Sequence, residues 1–262
     1  MYPPEEPTNL ASVSGGIPCF NSDFSSQYLP RPYPKVKKLH FLPVRPSGLS
    51  FFTNFVESPV TMQVDFYTYE NLTPVPGIVA TIEALEENFF IEFSPTGISD
   101  YDTIIAVFSD GTNVLGFSSP FVKVPQSQDN VVEIEYRTPR GRLYNFPYAF
   151  DEESRYNKVH VFANLFGVEY PEELTVYKEV TTGRPRKLNS TLNRTINFET
   201  YYLDFPTHEA IAVIFHHDDV RINGRKYVSS ESYNPNYLPE KDLTKGSVVL
   251  VDSEFSSKLL SC

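Results

Sequence analysis

Between residues 60 and 69 the chain reads VTMQVDFYTY, in which Val60, Met62, Val64 and Phe66 alternate with Thr61, Gln63, Asp65 and Tyr67. A period of two sends successive side chains to opposite faces of an extended backbone, so this segment reads as a strand with one buried face. The same pattern recurs along the chain and is cut short each time by Pro, Gly, Asn or Asp. Segments 36–42 (ending at Pro43), 49–56, 77–84, 88–93, 102–108, 114–118 and 121–124 all read as short strands. Turns are expected at Glu86-Glu87-Asn88 and at Asp110-Gly111-Thr112-Asn113. An Asp-Gly pair between apolar runs is a strong hairpin signal. Seven or eight strands at this spacing suit an immunoglobulin-like sandwich over residues 35–125, although the Cys and Trp core of antibody domains is absent.

Residues 125–130 (PQSQDN) read as a linker. Beyond it lies a second β-rich unit, 126–262, also expected to be sandwich-like. Its strands are expected at 131–137, 158–165, 175–180, 186–188, 195–203, 220–222, 225–228 and 247–251. Asn223-Gly224 between the last pair but one is a two-residue hairpin turn. One short helix is predicted over 207–217. Thr207 is placed as its N-cap and Glu209 in its first turn, with Ile211, Ile214 and Phe215 on its inner face and His216 and His217 in its last turn.

Residues 1–34 differ in kind. They hold seven prolines, Pro3, Pro4, Pro7, Pro18, Pro30, Pro32 and Pro34, together with Ser-rich stretches around 12–16 and 22–26. Prolines remove backbone donors and serines bury little, so this segment reads as an extended N-terminal arm with no core of its own. Phe20, Phe24, Tyr28 and Tyr33 would give such an arm something to bury against a neighbouring subunit. The opening MYPPEEP lacks the basic and apolar regions of a signal peptide, and no apolar run is long enough to span a bilayer, so no membrane association is expected.

Charge and chemistry narrow the function. Thirty-three acidic and 22 basic residues give a net charge of −11, which repels phosphate backbones and argues against general nucleic-acid binding. Cys19 and Cys262 are the two cysteines. They are too few for a disulfide framework or a metal knuckle and read as free thiols. No nucleophile elbow, phosphate loop or zinc-protease helix is present. His208, His216, His217, Asp218 and Asp219 have metal-ligand composition, but neighbours on a helix point about 100° apart and a shared ion is not expected. Glu83, Glu86, Glu87, Glu133, Glu135, Asp151, Glu152, Glu153, Glu172 and Glu173 are the candidates for a carboxylate pair. Most sit beside turns, and Glu133 and Glu135 fall on the outer face of a strand. No catalytic residue, metal or cofactor is therefore assigned. Tyr67, Tyr69, Tyr201, Tyr202, Tyr233 and Tyr237 could form an aromatic platform for a glycan.

The second half carries a recurring order of elements. It runs from Val131 through Tyr144-Asn145-Phe146-Pro147-Tyr148 to Lys158-Val159-His160-Val161-Phe162 and Glu173-Leu174-Thr175-Val176-Tyr177. After a turn at Gly183 come Lys187-Leu188-Asn189-Ser190 and Asn197-Phe198-Glu199-Thr200-Tyr201. The helix, Asp219-Val220-Arg221-Ile222-Asn223-Gly224, Tyr227 and Val248-Val249-Leu250-Val251-Asp252 complete it. This order resembles small virion proteins encoded in phages and prophages of Bacteroidetes, including crAss-like phages. The resemblance implies a structural subunit made in the bacterial cytoplasm and located in the virion. Its partners would be further copies in a ring and the portal and tail proteins of the connector, with DNA passing nearby without specific binding. It brings no catalytic residues. The competing reading is a glycan- or protein-binding β-sandwich module of a fibre or adhesin.

Overall fold

The computed structural model describes residues 10–13, 42–55, 61–78, 80–85, 88–112, 114–118, 120–138, 155–203, 205–236 and 243–260. The chain is mostly β, with two hydrophobic cores on either side of residues 125–130.

The first core lies between two groups of strands. β1 (Leu10–Val13), β3 (Leu49–Phe55), β6 (Asn88–Phe93) and β5 (Ala80–Leu85) pair side by side. β2 (Leu42–Val44), β9 (Phe121–Lys123), β7 (Thr103–Ser109) and β4 (Gln63–Thr68) form the facing sheet, with β8 (Val114–Phe117) on β7. Aromatic rings join them across the gap. Phe93 meets Phe66 at 4.8 Å and Phe121 at 5.8 Å, and Phe51 meets Phe108 edge-on at 5.9 Å. In β4 the alternation places Phe66 inward and leaves Asp65 exposed, with Met62 buried just ahead of the strand. The expected stop at Pro43 does not occur. β2 runs through Pro43 and pairs parallel with β9 at the sheet margin, where a missing amide donor is tolerated. Part of the expected arm is also a strand: β1 pairs antiparallel with β3 of its own chain.

The second core fills a closed barrel, not a sandwich. Its staves are β10 (Val131–Arg137), β11 (Asn157–Glu169), β13 (Pro185–Thr200), β17 (Gly246–Leu260), β15 (Arg225–Ser229) and β14 (Asp219–Ile222). Closure comes from β11, which pairs with β10 on one side and with β13 on the other. β17 inserts between β13 and β15. No seam then remains at which two sheets could separate. Inward positions alternate as the pleat requires: Val132, Ile134 and Tyr136 on β10, Val159, Val161 and Ala163 on β11, Ile196 and Phe198 on β13. The Asn223-Gly224 turn closes the β14–β15 hairpin with positive φ at both residues, as a type I′ turn needs. The short β16 (Asn234–Pro235) pairs with β17.

The helix α1 (Phe205–Phe215) adds Ile211, Ile214 and Phe215 to this core, and Phe215 packs edge-on against Phe198 at 5.1 Å. It begins two residues earlier than the sequence suggests, so Thr207 lies inside the first turn and Glu209 beyond it. His216 and His217 follow the helix, and their amides close its end on the carbonyls of Val213 and Ile214 at 3.1 Å.

The expected strand 186–188 and residues 195–200 of the expected strand 195–203 belong to one continuous β13. This strand, β17 and the far end of β11 outrun the barrel. With β12 (Glu172–Lys178), which pairs along the first part of β13, they form a projecting ribbon. A β11–β3 pairing, with Lys158 opposite Ser50, joins the strands of the two cores. Among the described residues no helix is long and apolar enough to cross a membrane.

Candidate functional site

The polar groups best positioned for chemistry meet where the two cores join. The β2–β3 turn brings in Ser47. Its tightness rests on Gly48, whose amide bonds Arg45 O at 2.9 Å and whose φ is +79°. A Cβ there would stand 2.2 Å from the Phe93 carbonyl oxygen, so glycine is required. Ser47 Oγ donates to Glu133 Oε2 at 2.9 Å and lies 3.2 Å from His160 Nε2. The same His160 Nε2 lies 3.2 Å from Glu133 Oε2. Glu133 and His160 are opposite each other on β10 and β11, on the outside of the barrel.

A serine, a histidine and a glutamate in contact invite comparison with a hydrolytic triad, but the connectivity differs. In a triad the two ring nitrogens divide the work, one facing the nucleophile and the other the carboxylate. Here Nε2 faces both, and Nδ1 is buried with no hydrogen-bond partner among the described residues. The proton therefore belongs on Nε2, where it is donated to Glu133, so the nitrogen that faces Ser47 has no lone pair with which to deprotonate it. Burial pushes the His160 imidazole below its ordinary range and keeps it neutral, opposed by the carboxylate beside it. Hydrogen bonds from His160 and Ser47 hold the Glu133 carboxyl well below the usual range. The arrangement works as a clamp. Neighbouring bonds extend it: Arg45 donates to Gln128 O and Val131 O at 2.8 and 2.7 Å, Ser50 Oγ to Tyr156 O at 2.8 Å, and the Phe52 amide to Asn157 Oδ1 at 3.1 Å.

A second cluster covers the barrel wall beside it. Tyr156 donates to Asp219 Oδ2 at 2.6 Å, and the guanidinium groups of Arg221 and Arg137 lie 4.7 and 5.5 Å from its ring centre. Lys226 Nζ is 3.2 Å from Asp219 Oδ1. Burial would raise the Asp219 carboxyl, but Tyr156 and Lys226 outweigh it and hold it below its ordinary value. Each carboxylate here already has cationic or hydroxyl partners, as expected of wall-stiffening pairs.

The residues singled out in the sequence are dispersed. His208 is fully buried, with Nδ1 2.6 Å from Tyr233 Oη and Nε2 3.0 Å from Thr244 O. His217 packs edge-on against Tyr136 and donates from Nδ1 to Val213 O at 2.8 Å, while His216 is exposed. No group of metal-binding residues forms among the described residues. Glu133 and Glu135 do lie outside the barrel, but Ser47 of the first half bonds Glu133, and Glu135 pairs with Lys158 at 3.7 Å. Glu83 pairs with Arg155, and Glu172 with Lys187 and Ser190. Tyr67 and Tyr69 pack against the first core and Tyr233 against Phe215, leaving Tyr201 and Tyr202 as the exposed pair. Phe20, Phe24, Tyr28, Tyr33, Cys19, Cys262, Glu86, Glu87, Tyr237 and 151–153 lie outside the described residues.

Sequence reasoning missed the ribbon surface. Every residue of β12 is exposed. Leu174 and Val176 are each 50% exposed, Tyr177 is 48% exposed and Val180 is fully so. Phe166, Val168 and Tyr170 continue the apolar surface at the end of β11. β12 pairs only with β13 among the described residues, so its outer edge carries a row of amides and carbonyls without ladder partners. The signal available in the sequence was the unusual pairing of strand-forming residues with a polar stretch, Lys187 to Arg194, that gives them no core to face. The chain matches no protein-family model and no curated protein.

Proposed function

We propose that this chain is a non-enzymatic structural subunit of a phage virion, forming a ring in the portal–tail connector through which DNA passes. The observation that carries this reading is the ribbon: β11, β13 and β17 extend beyond the packed barrel, and β12 with its turn, paired on β13, presents Leu174, Val176, Tyr177 and Val180 to solvent. An exposed apolar patch on an ordered strand is characteristic of a surface that another chain covers. The net charge of −11 suits a wall past which DNA slides without sticking. The two facing sheets of the first half are read as an immunoglobulin-like sandwich, and the arm aromatics Phe20, Phe24, Tyr28 and Tyr33 as contacts to the neighbouring subunit.

Negative-stain microscopy and mass photometry of the full chain test this. Closed rings, lost or weakened when the four arm aromatics are changed to Ser, are the expected result. Monomers that bind an immobilised glycan through Tyr201 and Tyr202 would overturn it in favour of the binding module.

A further inference from the structure

The ribbon leaves the barrel at one level, residues 193–197 of β13, and both ladders beside β13 shift register there. On one side Phe166 pairs with Asn197 and Glu169 with Thr195, so two residues of β11, Gly167 and Val168, face Ile196 alone. Gly167 takes a φ of +64°, the left-handed backbone that one class of bulge uses. On the other side Val251 pairs with Thr195 and Ser256 with Asn193, so four residues of β17, Asp252 to Phe255, face Arg194 alone. Tyr170 and Pro171 then separate β11 from β12 on the first edge, and Pro171 has no amide to donate. Beyond this level β12, β13 and β17 pair again as three strands. A bulge disrupts the ladder locally and bends its strand. With bulges on both sides at one level, β13 alone runs unbroken from barrel to ribbon, and bending concentrates in it.

A buried carboxylate spans the same level. Asp252, in the β17 bulge, is 1% exposed. Its Oδ2 lies 3.3 Å from Arg194 Nη1 on β13 and 2.7 Å from Arg225 Nε on β15, and its Oδ1 accepts the Glu254 amide at 3.1 Å. Ser253 Oγ donates to Lys226 O at 3.1 Å, a second tie to β15. The Tyr170 and Phe255 rings meet edge-on at 5.7 Å and join the strands on either side of β13. A buried ion pair holds its geometry because leaving either member unpaired is costly.

We infer that the ribbon is a hinged arm: it pivots as a unit about residues 193–197, and Asp252, gripping Arg194 and Arg225, is the latch that sets its resting angle. The device lies within one chain. It goes beyond the ring reading, and each can fail without the other.

The test measures a distance across the hinge. Cys19 and Cys262 are changed to Ser in the full chain, and spin labels are placed at Thr181→Cys on the ribbon turn and Glu231→Cys on the barrel, both exposed positions. Dilution with unlabelled chain restricts double electron–electron resonance to distances within one copy. The parent is expected to give one narrow distribution. Asp252→Asn is expected to broaden and shift it while circular dichroism keeps the parent spectrum. Arg225→Gln, which leaves the carboxylate its Arg194 partner, gives a smaller change of the same kind and carries the test if Asp252→Asn does not fold. Deleting residues 253–255 brings β17 into one register along β13, and Asp252→Asn in that background should leave the distribution narrow. Hydrogen exchange separates pivoting from fraying. Amides at 166–168 and 252–255 are expected to exchange about tenfold or more faster than those of 187–192. Folded latch variants with the parent's distribution would overturn the latch. Loss of protection throughout 187–192 would replace the hinged arm with a ribbon that unfolds.

Discussion

The barrel and the ribbon are made from the same strands, yet they obey different rules. Along β13, Ile196, Phe198 and Thr200 point into a core and are nearly inaccessible, whereas Arg186 and Lys187 at the start of the strand are exposed. Ladder partners accompany the strand in both regions, β12 and then β11 on one side and β17 on the other. Hydrogen bonding therefore holds both regions in strand form, and side-chain burial alone separates what each contributes to stability. The barrel buries its hydrophobic side chains, whereas the ribbon leaves Leu174, Val176, Tyr177 and Val180 in water.

The comparison is broken most directly at Phe198. Phe198→Ala empties a fully buried site against Phe215 and is expected to cost about 3–5 kcal/mol in denaturant unfolding. A loss below about 1 kcal/mol would mean that the barrel interior is not the main store of stability.

The barrel is also expected to be acid-sensitive. Burial pushes His217 down to about 4 from an ordinary 6.5. The unfolded chain then binds the proton first, so stability is fully present above about pH 6.5 and is lost as pH falls toward 4. The loss amounts to roughly 3 kcal/mol over that window. His160, also depressed by burial, adds a loss of the same sign. Urea unfolding at pH 7 and pH 5 measures the sum, and His217→Phe should flatten it. A variant with the parent's full pH slope would place the titration elsewhere.

The join between the cores gives an intermediate effect. Gly48→Ala forces a Cβ toward Phe93 O at a left-handed backbone position and is expected to cost about 2 kcal/mol. A neutral result would show that the turn relaxes freely.

The smallest effect belongs to the ribbon. Val176→Ala on the free subunit should change stability by less than about 0.5 kcal/mol, because its side chain is half exposed. A cost near that of a core site would show that the ribbon packs on its own chain and would remove the contrast.

What was legible in the sequence was what depends on near neighbours. The alternation of β4 and β10, the Asn223-Gly224 hairpin and the inner face of α1 could each be read from a few consecutive residues. Barrel closure could not, because it depends on β11 finding β13 and on β17 entering between β13 and β15. The single long β13 was read as two strands with the largely polar residues 189–194 left between them; in the ribbon, polar residues are compatible with a strand. The Ser47–Glu133–His160 clamp was equally hidden, since its members are 86, 113 and 27 residues apart and meet only once both halves have folded. Glu133 was placed correctly on an outer face, but nothing nearby in sequence revealed that another part of the chain would cover it.

The position of β17 also sets an order in time. Residues 246–260 are the last stave in the chain and a middle stave of the barrel, bonded to β13 on one side and to β15 on the other. On the ribosome, β10, β11, β13, β14 and β15 all emerge before it, and until it does both of its neighbours present unpaired edges. Synthesis at about 5–20 residues per second gives a nascent chain of this length several seconds in that open form. Sister chains on one message then carry matching open edges close together, and exchange of β17 between them is the characteristic misassembly this topology invites.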